Sequence, residues 1–275
     1  MNDSILTIIH PVSTDDLVRI GRDTDGGYLI NRRSIEDADL LSFGVNDDWS
    51  FEEHFHSLYK GRIEMYDGSV SVEKFRRDAN NLLLRFFSPL FYYSCFRIPG
   101  HFNRVINKYK ESNAVYKNFK NFTALDRIGF HSKFVSDVVD HEFESIEQIL
   151  GKNKSGKKIF LKIDIEGYEF RIMKSIGLHA ARISGMVIEF HDVLNKYDEF
   201  SSCITELLKD FYITHVHANN YSILNEIDFP NTWEITFIHK SLILSNPEKR
   251  KGDFPIAGMD FPNTLEREDF NFTYR

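Results

Sequence analysis

Residues 159–170, "IFLKIDIEGYEF", constrain this chain more than any other stretch. The nearly continuous apolar run suits a strand buried on both faces, as in a parallel sheet covered by helices. It closes on Asp164 and Glu166, whose spacing points both side chains to one side of a strand. Gly167 then permits a sharp turn into the helical pattern "YEFRIMKSI". A helix cap, or a pairing with Lys162, would explain one acid but not two. The strand end is therefore a candidate functional edge.

The same strand–turn–helix unit recurs. "DADLLSFGV" predicts a buried strand over Leu40 to Val45, and "SFEEHFHSLYK" a helix with Ser50 as N-cap and Glu53 completing a capping box. "RIEMYDGS" is a short second strand ending on Asp67, and "NFTALDRIGF" predicts a third. "SIEQIL" reads as a short helix, "KKIFLKIDI" as the fourth strand, "ISGMVIEFH" as the fifth, and "EFSSCITELLKD" as the helix after it. "FYITHVHA" and "WEITFIHK" read as a closing antiparallel pair. The expected fold is α/β: a doubly wound, Rossmann-like sheet, mostly parallel, with a C-terminal antiparallel pair.

At this length, residues 1–275 are expected to form a single domain with one insertion. The insertion is expected to be helical, at about 72–120. From Lys74 to Lys120 there are ten basic residues against two acidic ones, interleaved with "LRFFSPLFYYSCF". Breaks are expected near Pro89 and Pro99. A solvated basic face is the plainer reading, beside a substrate-binding or membrane-surface role.

Composition narrows the classes of function. A net charge of −7 argues against nucleic-acid binding by the whole surface. Cys95 and Cys203 lie too far apart for a CxxC knuckle and suggest no disulfide framework, so a reduced, cytoplasmic setting is expected. "MNDSILTIIHP" lacks the basic start of a signal peptide, and no transmembrane segment is expected. Any membrane association is expected to be peripheral, at the inner face.

Ligands of a doubly wound sheet bind beyond the carboxyl ends of its strands. Gly44 follows the first strand, and Asp67 ends the second, where an acid suits ribose hydroxyls. No GxGxxG is present. "MVIEFHD" sets Glu189 and His191 on one face, and "HVHANN" sets His215 and His217 on one face before Asn219 and Asn220.

"LKIDIEGYE" resembles the signature of FkbM-type S-adenosylmethionine-dependent methyltransferases. "RDTDGGYLI" and "LLSFGVNDDWSFEEHF" resemble flanking motifs of a related branch, and "HVHANN" and "WEITFIH" are similar to methyltransferase-like proteins of bacterial surface-polysaccharide clusters. The resemblance spans residues 20–67 and 145–240 and leaves out the insertion. It implies a class I methyltransferase fold with S-adenosylmethionine across the ends of strands one and two. On that mapping Ser42, Gly44 and Asn46 face the methionine portion, and Glu52 holds the loop. Asp67 takes the ribose hydroxyls, the region near Gly129 covers the adenine, and Asp164 lies near the sulfonium.

The expected reaction is O-methylation of a sugar hydroxyl, on a glycan or glycolipid of O-antigen or capsule type. His191 is the expected general base because the ordinary imidazole pKa suits that role, with His217 second. Glu166, Asn219, Asn220, Arg76, Arg77 and Arg85 are expected to face the acceptor. A divalent metal on Asp164, Glu189 and His191 is the other means of activating a hydroxyl. The alternative function is a metal-dependent hydrolase using the same cluster, which would leave the Gly44/Asp67 pattern unused.

Overall fold

The computed structural model describes residues 2–221, 229–243 and 246–275. Its central sheet has seven strands: β1 (Ala38–Phe43), β2 (Ile63–Tyr66), β3 (Ile128–His131), β4 (Lys158–Ile163), β5 (Ile183–Phe190), β6 (Phe211–Ala218) and β7 (Trp233–His239). Their spatial order is β6-β7-β5-β4-β1-β2-β3. All pairs from β5 to β3 are parallel. β7 runs antiparallel to both β5 and β6. The expected closing pair is therefore present, with its second strand slotted between β5 and β6. A further antiparallel pair, Gly252–Phe254 with Phe272–Tyr274, lies near the C-terminus.

Among the helices that flank or extend the sheet are α1 (Ser50–Leu58), α2 (Val72–Arg85), α3 (Pro89–Arg97), α4 (His101–Phe122), α5 (Ile146–Lys152), α6 (Glu169–Leu178) and α7 (Tyr197–Leu207). Alternation along the central strands feeds two cores. Leu41, Phe43, Leu161 and Ile163 pack with Ile172 and Met173 of α6 and Ile204 of α7. Leu40, Phe160 and Val187 pack on the other face with Phe51 and Phe55 of α1. Each such side chain, fully buried, contributes about 1.5–3 kcal/mol. Two covered faces explain why β1 and β4 lack the polar alternation of a half-exposed strand.

Two local expectations shift. The N-cap of α1 is Trp49, not Ser50, and no side chain caps it. Trp49 is pinned in the core against Phe75 and Phe119, so the helix starts one residue early. Asp48 Oδ1 instead accepts the Ser50 N–H at 2.9 Å. The third strand begins at Ile128 rather than near Asn121, because Phe119 and Phe122 bury the last turn of α4.

Helices α2, α3 and α4 form the insertion between β2 and β3. Its root is anchored by Phe75, Phe119 and Phe122, with Phe119 edge-on to Phe130 of β3. No described helix is long and apolar enough to cross a membrane.

Candidate active site

The strand order reverses between β1 and β4, and the residues after those two strands meet. The Asp164 N–H donates to the Phe43 carbonyl at 2.9 Å. Gly44 has φ +77°, and a Cβ there would stand 1.5 Å from the Asp164 carbonyl oxygen. Only glycine fits. Asn46 (φ 47°), Glu166 (φ 53°) and Asp192 (φ 59°) also adopt left-handed backbone just beyond β1, β4 and β5. Strain concentrated at neighbouring strand ends is characteristic of functional edges.

A cavity of about 480 Å³ opens at this edge. That volume suits a small-molecule site. Its walls are of two kinds: acidic and polar from Asp25, Asn46, Asp48, Asp164 and Glu166, and aromatic from Phe134, Phe143 and Tyr168. Phe143 lies 5.4 Å from Phe134 and 6.0 Å from Tyr168, ring to ring. Asp67 sits on the wall and fastens the Gly44 turn. Its Oδ2 accepts the N–H groups of Val45 and Asn46 at 2.9 and 2.8 Å, and its Oδ1 accepts from the Ser69 N–H and hydroxyl. Burial works against this charge, but the hydrogen bonds prevail and hold the carboxyl below its ordinary pKa.

Lys162 supports the turn from beneath. Its buried ammonium donates to the Gly44 carbonyl and stands 3.6 Å from Asp164. Desolvation opposes the charge, but Asp164 and Glu52 outweigh it and raise the pKa. Glu52 accepts the Ser42 hydroxyl, so both residues lie under the turn rather than on the cavity wall. Gly129 is not on the wall either. It sits inside β3 against the Glu64 carboxylate, and the aromatic wall comes from residues further along.

Beside Asp164, Glu169 at the start of α6 organises the turn. Its Oε1 accepts the N–H groups of Ile165 and Gly167 at 3.2 and 3.0 Å, and the Nδ1–H of His191 at 2.9 Å. His191 Nε2 then faces Glu166 at 3.6 Å, Glu189 at 3.7 Å and Asp164 at 3.9 Å. Desolvation favours the neutral ring, but the Glu169 bond and the surrounding carboxylates win and raise the pKa to about 9. This corrects the expectation of an imidazole near its ordinary value: His191 is an imidazolium at neutral pH. Burial raises the Asp164 pKa despite Lys162 and His191. Burial, with Asp164 and Glu234 nearby, pushes Glu189 well above the usual carboxylate range.

Asp164, Glu166 and His191 offer ligand atoms within 4.8 Å of one another. Glu166 thus takes the place expected of Glu189, which groups with Asp25 and Glu234 instead. Asn219 reaches the cluster, donating to Glu189 at 2.7 Å. His217 does not present a free nitrogen. Nδ1 lies 3.2 Å from Glu234 and Nε2 3.2 Å from Asp269. Desolvation opposes the charged ring, but these two bonds raise its pKa to about 10. His215 likewise holds Asp260 at 3.0 Å, and Asn220 bonds the backbone of Thr264 and Arg267. These groups clasp the C-terminal segment. Arg76, Arg77 and Arg85 are exposed on α2, and none lines the cavity.

Residues 19–219 match the methyltransferase FkbM domain. The chain belongs to the FkbM methyltransferase family. It is an S-adenosylmethionine-dependent methyltransferase, which sets aside the hydrolase alternative. No curated protein matches the chain. Among solved structures it is similar to a precorrin-6y C5,15-methyltransferase from Geobacter metallireducens, with TM-score 0.36, 12% identity, and coverage of 74% of this chain and 82% of that one. It is also similar to an rRNA methylase from Streptococcus thermophilus, with TM-score 0.37, 8% identity, and coverage of 74% and 87%. Neither bears on the acceptor.

The walls of this FkbM-family cavity fit S-adenosylmethionine by their chemistry. Acidic groups suit a sulfonium and an ammonium, and aromatic rings suit a purine. Glu169, Asp25, Glu234 and the aromatic wall are not among the residues expected from sequence. Glu169 had a visible signal, an acid three residues after Glu166 in the first turn of a helix. The aromatic wall had none, because Phe134 and Phe143 belong to a short strand pair formed only in the tertiary structure.

Proposed function

We propose that this methyltransferase acts on a sugar hydroxyl, in a glycan or glycolipid of the bacterial surface type. The observation that carries the reading is the carboxylate–imidazolium cluster bordering the cofactor cavity. Clustered carboxylates and a side-chain amide suit a ligand rich in hydroxyl donors. S-adenosylmethionine supplies a methyl group open to in-line attack. A sugar hydroxyl attacks well only while losing its proton. Asp164, on the cavity wall and with a proton affinity raised by burial, receives that proton. His191, charged and fixed through Glu169, holds Asp164, Glu166 and Glu189 in place, and is a positioning residue rather than the base.

The test is transfer of labelled methyl to a panel of cell-envelope glycans. Asp164→Asn is expected to lose about 10²- to 10⁴-fold in turnover. Methyl transfer to amines or protein alone would refute the acceptor class. A chelator is expected to leave turnover unchanged. If it abolishes turnover and Mn²⁺ restores it, the Asp164, Glu166 and His191 set holds a metal and the proton-acceptor role fails.

A further inference from the structure

The insertion buries aromatic side chains at its root but leaves many large apolar ones exposed at its tip. Phe87 and Leu90 are 75% and 74% exposed, and Leu84, Tyr92, Tyr93 and Phe102 are at least half exposed. They cluster on α3 and the adjoining ends of α2 and α4, while Phe86 and Phe91 pack inward, 5.0 Å apart. So many large apolar side chains on one tip form a patch that a monomer in water does not leave open without use.

Charge on the same tip is one-sided. Between residues 79 and 107 the charged residues are Arg85, Arg97 and Arg104, with no Asp or Glu. This lies within a chain of net charge −7. Arg85, Arg97 and Arg104 are all exposed. The guanidinium of Arg97 lies 5.1 Å from the ring centroid of Tyr93.

We propose that this tip docks on an anionic lipid surface, inserting Phe87, Leu90 and Tyr93 at the headgroup boundary while the basic residues meet lipid phosphates. Apolar and aromatic side chains beside an acid-free basic set match what interfacial helices use. A second copy of the chain is a poorer occupant, because two such tips would bring like charges together. Nucleic acid would leave the aliphatic side chains of Leu84 and Leu90 without use. The tip stands roughly 20 Å from the root, the length of the 14 residues of α2. Because α2 starts five residues after Asp67, docking would leave the cofactor cavity near the membrane, within reach of a lipid-linked acceptor. The proposal is independent of which group is methylated.

The test is sedimentation of the full chain with vesicles of phosphatidylcholine mixed with phosphatidylglycerol, or of phosphatidylcholine alone. Binding is expected to the mixed vesicles only, and to weaken with added salt. Phe87→Ser/Leu90→Ser/Tyr93→Ser is expected to lower binding about tenfold or more, and Arg97→Glu/Arg104→Glu likewise. Unchanged melting temperature and cofactor affinity would show both variants folded. Absence of binding, equal binding to both vesicles, or undiminished binding by either variant would overturn the proposal. So would patch-dependent self-association in sedimentation velocity without lipid binding.

Discussion

Lys162→Met replaces the cation beneath the Gly44 turn with an uncharged side chain of similar length. The wild-type ammonium bonds the Gly44 carbonyl and stands 3.6 Å from Asp164, with its side chain 6% exposed. At an effective dielectric near 20, a pair at that separation attracts by about 4–5 kcal/mol, before the desolvation that opposes it. Removing one member of a buried pair costs about 3–5 kcal/mol, because the other is left uncompensated. Here Glu52 would lose the charge that offsets its burial, and Asp164 would be left with His191 at 3.9 Å. The expected loss is therefore about 3–5 kcal/mol, read from urea unfolding as a lower midpoint with an unchanged slope. Asp164→Asn, alone and combined with Lys162→Met, completes a double-mutant cycle, and the two effects should fall well short of additive. A loss below about 1 kcal/mol, or additive effects, would refute the claim that this pair holds the turn.

Asp67→Ala removes the acceptor of two turn N–H groups, each charge-assisted bond being worth about 1.5–3 kcal/mol. Calorimetry should show S-adenosylmethionine affinity down by tenfold or more, and an unchanged value would mean that the turn keeps its shape unaided. His217 supplies a pH test. Its folded pKa of about 10 lies above the ordinary 6.5, so its stabilisation is complete below pH 6.5 and is lost as pH rises to 10. Melting temperature should fall over that window. His217→Gln should flatten the decline while lowering stability at pH 7, and a decline of equal steepness in the variant would remove His217 as its source.

Local pattern was enough for most strands of the central sheet and for their carboxyl ends. The apolar runs at Leu40, Ile159 and Met186 are continuous because both faces of their strands are covered, so burial is written in neighbouring residues. Gly44, Asp67 and Asp164 could be placed at carboxyl ends for the same reason: in a parallel sheet every strand presents the same end to the ligand. What Asp67 does there depends on which N–H groups lie across from it, 21 and 22 residues away in sequence. His191 shows the difference most sharply. The sequence identifies an imidazole at the end of β5, but its charge is set by Glu169 and Asp164, brought in from another strand end. His217, the second candidate by sequence, is closed off by Asp269, 52 residues away, at its second nitrogen. The basic aromatic stretch follows the same rule. Its composition is plain in the sequence, but whether Phe87 and Leu90 face the core or the solvent depends on how three helices pack. Residue type and period are local properties, whereas ionisation and exposure are sums over everything that folding brings near.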